Sequence, residues 1–326
     1  MKKFIWAFLI FGVAAFLFGA PFEESAAKAF DKGLDFVQSN DYRRALRYFR
    51  QAAQYDPTLA SAFLNIGACH ERLNEFAEAR PYYEKAIELE KDNAKFSYLY
   101  ALALLRNNCS DEGLKKLEEA VFADPKNPDY IYELGLAHLA KKQKERAKAC
   151  FIACLDIHTN YHEAYFRLGV LAVEEHNTNE ALRLLEKVDL DCPLAHQSFL
   201  LRSRLLRSQK RLSEAESLAR ISLKLSRNFW EGYLNLAQIL REEKKYREAT
   251  EILERVELQE LKGNWAALLG RIYEEWGDSL MQAGKEKAAK TIYQQGLRFL
   301  PEDENLLKKA GTRQEQKASE KGILKE

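Results

Sequence analysis

The sequence predicts an all-α solenoid of stacked helix-turn-helix pairs, and three observations carry that prediction. Gly33, Gly67, Ala101, Gly135, Gly169, Ser203 and Ala237 recur at a step of 34 residues, the length of one helix-turn-helix unit. A second small column, Ala45, Ala79, Gly113, Ala147, Ala181, Ala215 and Ala249, keeps that step twelve residues later. Two helix backbones come close at such positions, and a larger side chain would hold them apart. Two further columns follow at helical spacing: Phe49, Tyr83, Leu117, Phe151, Leu185, Ala219 and Leu253, then Ala52, Ala86, Ala120, Cys154, Val188, Ser222 and Val256. Together they form the packed stripe of each second helix.

Taken in order, the repeats begin near residues 26, 60, 94, 128, 162, 196, 230 and 270, about eight in all. Pro57, Pro125 and Pro193 stand where second helices end, because proline lacks the N–H that continues a helix and disfavours helix in the preceding residue. Lys91, Thr159, Arg227 and Leu261 fill that slot elsewhere. The sixth repeat departs most: Arg202 replaces the leucine seen at Leu134, Leu168 and Leu236, and Ala219 and Ser222 are small, which predicts loose packing. After Ala249 the phase slips by six residues, and Tyr273, Gly277, Ala289, Tyr293, Gly296 and Pro301 restate the pattern. The inserted residues, around Leu258 to Asn264, predict a longer loop or a longer following helix through Trp265, Leu268, Leu269, Ile272 and Trp276. Residues 302–326 read as a capping helix with Leu306, Leu307 and Ala310 on its apolar face, then a charged tail.

Five columns in one register resemble the tetratricopeptide repeat family over about residues 26–301. The resemblance implies a right-handed superhelical solenoid without catalysis or cofactor, whose first helices line a concave groove for a protein or peptide partner. One inner-face column is Phe30, Leu64, Tyr98, Tyr132, Phe166, Leu200 and Leu234. The next, one turn on, is apolar at Leu34, Ala68, Leu102, Leu136 and Val170, where family members often carry a polar group, and becomes Arg204 and Gln238 afterwards. The groove is thus expected to be apolar in its first five repeats and polar beyond. Exposed apolar strips mark binding surface; the competing reading packs these side chains into a tight superhelix or a homodimer. Arg204, Arg207 and Arg241 fall where the apolar column ends, either as a carboxylate-holding patch or as a solvated cluster paired with Glu174 and Glu242. The clamp by which some members hold chaperone tails is not matched. Asn65 and Lys95 fit two of its sites, while Phe30, Leu34 and Leu99 occupy the others.

Composition narrows the function classes. With 50 Lys and Arg against 49 Asp and Glu, net charge +1, the chain lacks the basic excess of a nucleic-acid binder. Lys2 and Lys3 followed by the uncharged run Phe4 to Ala20 have the order of a bacterial export signal. The run also reaches the lower limit for a membrane anchor, so a cleaved leader and a retained anchor both fit. No cysteine follows it to accept a lipid.

Cys69, Cys109, Cys150, Cys154 and Cys192 are odd in number and lie at helical positions, reading as packing residues rather than staples. Cys150, Cys154, His158 and His162 share a spacing of four, but the repeat phase breaks that stripe near His158, so no metal is expected. His70, His138 and His176 lack a nucleophile or carboxylate at a recognisable catalytic spacing, and no phosphate-loop, nucleophile-elbow or zinc-protease motif occurs. The sequence therefore points to an exported, non-enzymatic scaffold of the cell envelope. Two other readings stay open: a structural subunit of a permanent envelope assembly, and an accessory domain to a separate envelope enzyme.

Overall fold

The computed structural model describes residues 24–254 and 264–311. The expected leader (1–20), most of the insertion before the last repeat and the charged tail lie outside the described residues. Every described element is an α-helix, and no strand occurs among the described residues. The chain divides into two compact units, Met1–Ala164 and Tyr165–Glu326.

The first unit contains α1 (24–38), α2 (Tyr42–Tyr55), α3 (Ala60–Arg72), α4 (Phe76–Leu89), α5 (Ala94–Arg106), α6 (Ser110–Ala123), α7 (Pro128–Ala140) and α8 (Lys144–Ile157). The division falls within α9 (His162–Glu174). The second unit continues with α10 (Thr178–Glu186), α11 (Ala195–Ser208), α12 (Leu212–Leu225), α13 (Trp230–Glu242), α14 (Tyr246–Glu254), α15 (Asn264–Gln282), α16 (Glu286–Leu297) and α17 (Glu304–Ala310). At nineteen residues α15 is the longer helix that the six-residue slip allows, and α17 packs on α16 as a cap.

Within a pair, the two small columns meet their apolar counterparts. A Cβ built on Gly135 would sit 2.6 Å from a ring carbon of Phe151, and one on Gly33 only 2.5 Å from a ring carbon of Phe49. The space that glycine vacates is therefore filled by the aromatic of the second helix, sixteen residues on in each case. Ala45, Ala79, Ala147, Ala181, Ala215, Ala249 and Ala289 are all fully buried, so any added methylene there forces neighbours off their rotamers.

The turn inside each pair is built by backbone geometry that the side chains hide. Asn40, Asn74, Asn108, Lys142, His176, Lys210 and Lys244 all have φ between 58 and 64°, and Gly284 follows at 73°. Each is the left-handed residue that ends the first helix, and the next residue closes a Schellman bond. Examples are Glu75 N–H to His70 C=O at 2.9 Å, Gln143 N–H to His138 C=O at 2.9 Å and Lys245 N–H to Leu240 C=O at 2.8 Å. Between pairs, asparagine caps start the next helix: Asn93 accepts from Lys95 N–H at 3.2 Å and Asn127 from Asp129 N–H at 3.1 Å.

In the first unit α3 packs against α5; in the second, α11 packs against α13, and α13 against α15. Successive second helices approach each other less closely than these pairs do. Each unit therefore curves with its first helices on the inner side.

Candidate functional site

The inner-side stripes separate into a packed column and a more open one. In the first unit, Leu64 and Tyr132 are each only 8% exposed. Tyr132 lies between Phe151, with centroids 5.6 Å apart, and Tyr161 at 5.1 Å. Phe30 is half-buried against Phe49 at 5.3 Å, and Tyr98 is half-buried on Tyr130 at 4.5 Å. Burial pushes the Tyr98 phenol up to about 12, with Glu133 and Asp129 adding to the shift. In the second unit Phe166 and Leu200 are 5 and 3% exposed, and Leu234 is half-buried. Leu64, Tyr132, Phe166 and Leu200 spend their area on packing.

One turn further, the second column is more accessible. Leu34 is 36% exposed, and Ala68, Leu102 and Leu136 are half-buried. Their i+4 relation to Phe30, Leu64, Tyr98 and Tyr132 puts them on the same stripe. Val170 is half-buried too and packs on the core formed by Phe166, Leu185 and Phe199, as Ala68 packs on that of Leu64, Tyr83 and Phe96.

Beyond Val170 the stripe turns polar. Arg204 is exposed, and among the described residues it has no carboxylate partner. Arg207 is three-quarters buried, with its Nε 3.6 Å from Glu242 Oε1. It also donates to Gln238 and, at 3.4 Å, to Asn235 Oδ1. Burial depresses its pKa from the ordinary arginine value; Glu242 opposes that shift, and the like charges of Arg204 and Arg241 reinforce it. Arg241 lies 3.4 Å from Glu275, which takes the place expected of Glu174.

The sixth small-column residue explains how Arg207 is held. Ser203 Oγ donates to Ala215 C=O at 2.7 Å and accepts from Asn235 Nδ2 at 2.8 Å. All three groups are buried, and Asn235 passes the chain to Arg207. Sequence reasoning placed Gln238 on the stripe but missed Asn235 and Glu275. Its only signal was serine in a column otherwise made of glycine and alanine.

The remaining candidates resolve locally. His70 does have a carboxylate partner: its Nδ1 lies 2.7 Å from Glu75 Oε2, and its Nε2 lies 3.1 Å from Arg50 Nη2. A guanidinium only donates, so Nε2 accepts and Nδ1 carries the proton. The contact ties α3 to the start of α4, as His138 with Gln143 at 2.8 Å ties α7 to α8. Cys154 is buried with its thiol directed to Pro128 C=O at 3.5 Å. His158 caps the end of α8 and interrupts the cysteine-histidine stripe. Among the described residues no group of three or more His, Cys, Asp or Glu is suited to a metal, and no helix is long and apolar enough to cross a membrane.

The sequence models of the tetratricopeptide repeat family match residues 30–95, 70–128 and 98–150, and again 231–257. The solved structure of Pseudomonas aeruginosa pilF is similar with a TM-score of 0.58 at 22% identity, covering 67% of this chain and 99% of that one. A tetratricopeptide repeat protein from Parabacteroides merdae reaches a TM-score of 0.54 at 17% identity, over 76% of this chain and 99% of that one. At these identities the likeness is one of fold. The human protein O-mannosyl-transferase TMTC3 is 25% identical over 153 residues, 45% of this chain and 17% of its own length. The chain thus spans a small part of that relative. With helix pairs at a 34-residue step, left-handed turns in phase and these matches, the chain belongs to the tetratricopeptide repeat family, a fold of protein-binding scaffolds.

Proposed function

We propose that the first-helix side of this scaffold holds a peptide or protein partner. An apolar subsite in the first unit is formed by Leu34, Leu102 and Leu136, and a cationic one in the second unit by Arg204 with Arg207 and Arg241. The observation that carries this reading is the exposure of Leu34, with Leu102 and Leu136 part-exposed on the same stripe, because apolar side chains aligned on one exposed strip mark a binding surface where scattered ones do not. In the second unit Arg204 stands exposed beside an arginine already desolvated and fixed, so a carboxylate there meets a charge whose geometry is set beforehand.

The scaffold is further proposed to work outside the cytoplasm, in the cell envelope, on the strength of Lys2, Lys3 and the run Phe4 to Ala20. A fusion of residues 1–40 to a reporter active only outside the cytoplasm is expected to be active; activity confined to the cytoplasm would refute it.

The face itself is tested by photo-crosslinking. Crosslinking residues at Leu102, Leu136 and Arg204 are expected to give partner adducts in intact cells, while Glu118 and Lys224, exposed on second helices, give none. Adducts only from Glu118 and Lys224 would place the partner on the other side.

A further inference from the structure

Arg202 occupies a position that leucine fills in other repeats: Leu134, Leu168 and Leu236 stand there, and are 9, 6 and 2% exposed. Its side chain is 18% exposed, and its nearest carboxylate oxygen, Glu186 Oε1, lies 3.9 Å away on a side chain that is itself 71% exposed. A formed arginine-carboxylate pair has N–O distances near 2.8 Å and is commonly forked, so this guanidinium is underused. Its other neighbour is the Phe199 ring, 5.4 Å from the centroid. Burial lowers the pKa of Arg202 from the ordinary arginine value, and Glu186 only partly offsets that.

The space beside it has a structural origin. The second helix α10 stops after nine residues at Glu186, whereas α12 runs for fourteen. A cleft of about 540 Å³ opens there, with Arg202 at its side and Leu182, Leu206 and Leu218 among its walls. Ser213 and Ser217, both exposed, lie at its rim. A second arginine at the rim, Arg211, is already engaged by Glu214 through two hydrogen bonds of 2.7 Å. The cleft also carries Glu186 and Glu214, both on side chains turned largely to water, and the underused guanidinium, three leucines and two hydroxyls make a site for a singly charged head on an apolar body. A phosphate would call for more donors than the cleft offers. The volume falls within the range of small-molecule sites.

The geometry points to a binding site for an aliphatic carboxylate in this cleft, its acid group on Arg202 and its chain against Leu182, Leu206 and Leu218, offered either as a free acid or as the C-terminus of a peptide. The cleft lies between α10 and α12 over the side of α11 that carries Arg202 and Leu206; Arg204, two residues on, projects from the other side of that helix.

The test titrates the full-length protein by calorimetry with four probes: hexanoate, hexanol, a pentapeptide ending in leucine with a free carboxylate, and the same peptide amidated. Saturable binding by hexanoate or by the free-carboxylate peptide, with none by hexanol or the amide, is expected. Hexanoate alone would identify a free acid as the ligand, and the peptide alone a chain end. Arg202→Leu installs the residue of neighbouring repeats and is expected to fold, to melt above the wild type because a poorly paired buried charge is removed, and to lose binding at least about tenfold. Arg202→Gln serves as a second folded variant with the same loss. Absence of saturable binding by both acids to the wild type, or binding unchanged in the two variants, would overturn the inference.

Discussion

In Met1–Ala164 the second helices α2, α4, α6 and α8 each run fourteen residues, whereas in Tyr165–Glu326 the first of them, α10, stops at nine. The fully buried small column follows the same contrast. It is glycine or alanine throughout the first unit, whereas in the second Ser203 stands between Gly169 and Ala237, wired to Ala215 C=O and Asn235. The first unit keeps aliphatic side chains on its inner stripe, and the second keeps arginines partly out of water. A regular apolar repeat needs only shape complementarity, while a repeat with buried polar groups must satisfy each one or lose stability. Ser203 and Arg207 depart from the repeat pattern and are met by specific partners that orient charge, whereas Arg202 departs from it without a close one.

The largest expected effect breaks the first unit. Gly135→Val places its Cβ against Phe151, and overpacking of this kind costs about 1–3 kcal/mol, read as a lower midpoint in chemical denaturation. Slightly smaller is Ser203→Ala, which removes the acceptor of Asn235 Nδ2 and costs about 1–2 kcal/mol. Combining it with Asn235→Leu removes both partners, and the double variant is expected to recover most of that loss while leaving Arg207 less ordered. Equal destabilisation by the single and double variants would contradict the network.

Much of the fold was legible because the repeat fixes it at many positions at once. Gly33 with Phe49, and Gly135 with Phe151, appear as columns sixteen residues apart, and the structure makes each pair a contact. The turn column was not legible: asparagine, lysine, histidine and glycine share a positive φ there but no side-chain chemistry. Nor was the anchoring of Arg207, because Asn235 is unremarkable in a sequence and both it and Gln238 meet the arginine only across α11 and α13. The sequence left the burial of Leu64, Tyr132 and Phe166 open, since a groove and a tight superhelix both fit the stripe. A helical stripe shows which residues share a face and not how closely the next pair covers it.

The turn column supplies a smaller effect of opposite sign. Lys210→Gly in the second unit relieves a left-handed backbone that costs a side-chain residue about 1 kcal/mol, and the midpoint should rise. Asn74→Gly in the first unit should gain less, since asparagine tolerates this region.

The smallest effect is on alkaline stability. Burial pushes the Cys69 thiol up to about 11 and the Cys154 thiol up to about 12. A thiol raised in the folded state contributes stability that is fully present below its unfolded value, near 8.5, and is lost as pH rises towards 11 and 12. Cys69→Ala with Cys154→Ala should therefore flatten part of the fall in stability between about pH 9 and 12. An unchanged slope would show that these thiols ionise freely.

The most direct test of partner binding on the first-helix side is the thermal melt of Leu102→Asn/Leu136→Asn, measured beside partner recovery from detergent-solubilised envelope. Both leucines are half-buried, so the melting temperature is expected to fall by no more than about 2–4 °C, the shift of roughly 1 kcal/mol in a chain of this size. Partner recovery is expected to be lost. A collapse in melting would make these residues core, and an unchanged melt with unchanged recovery would contradict binding on this stripe.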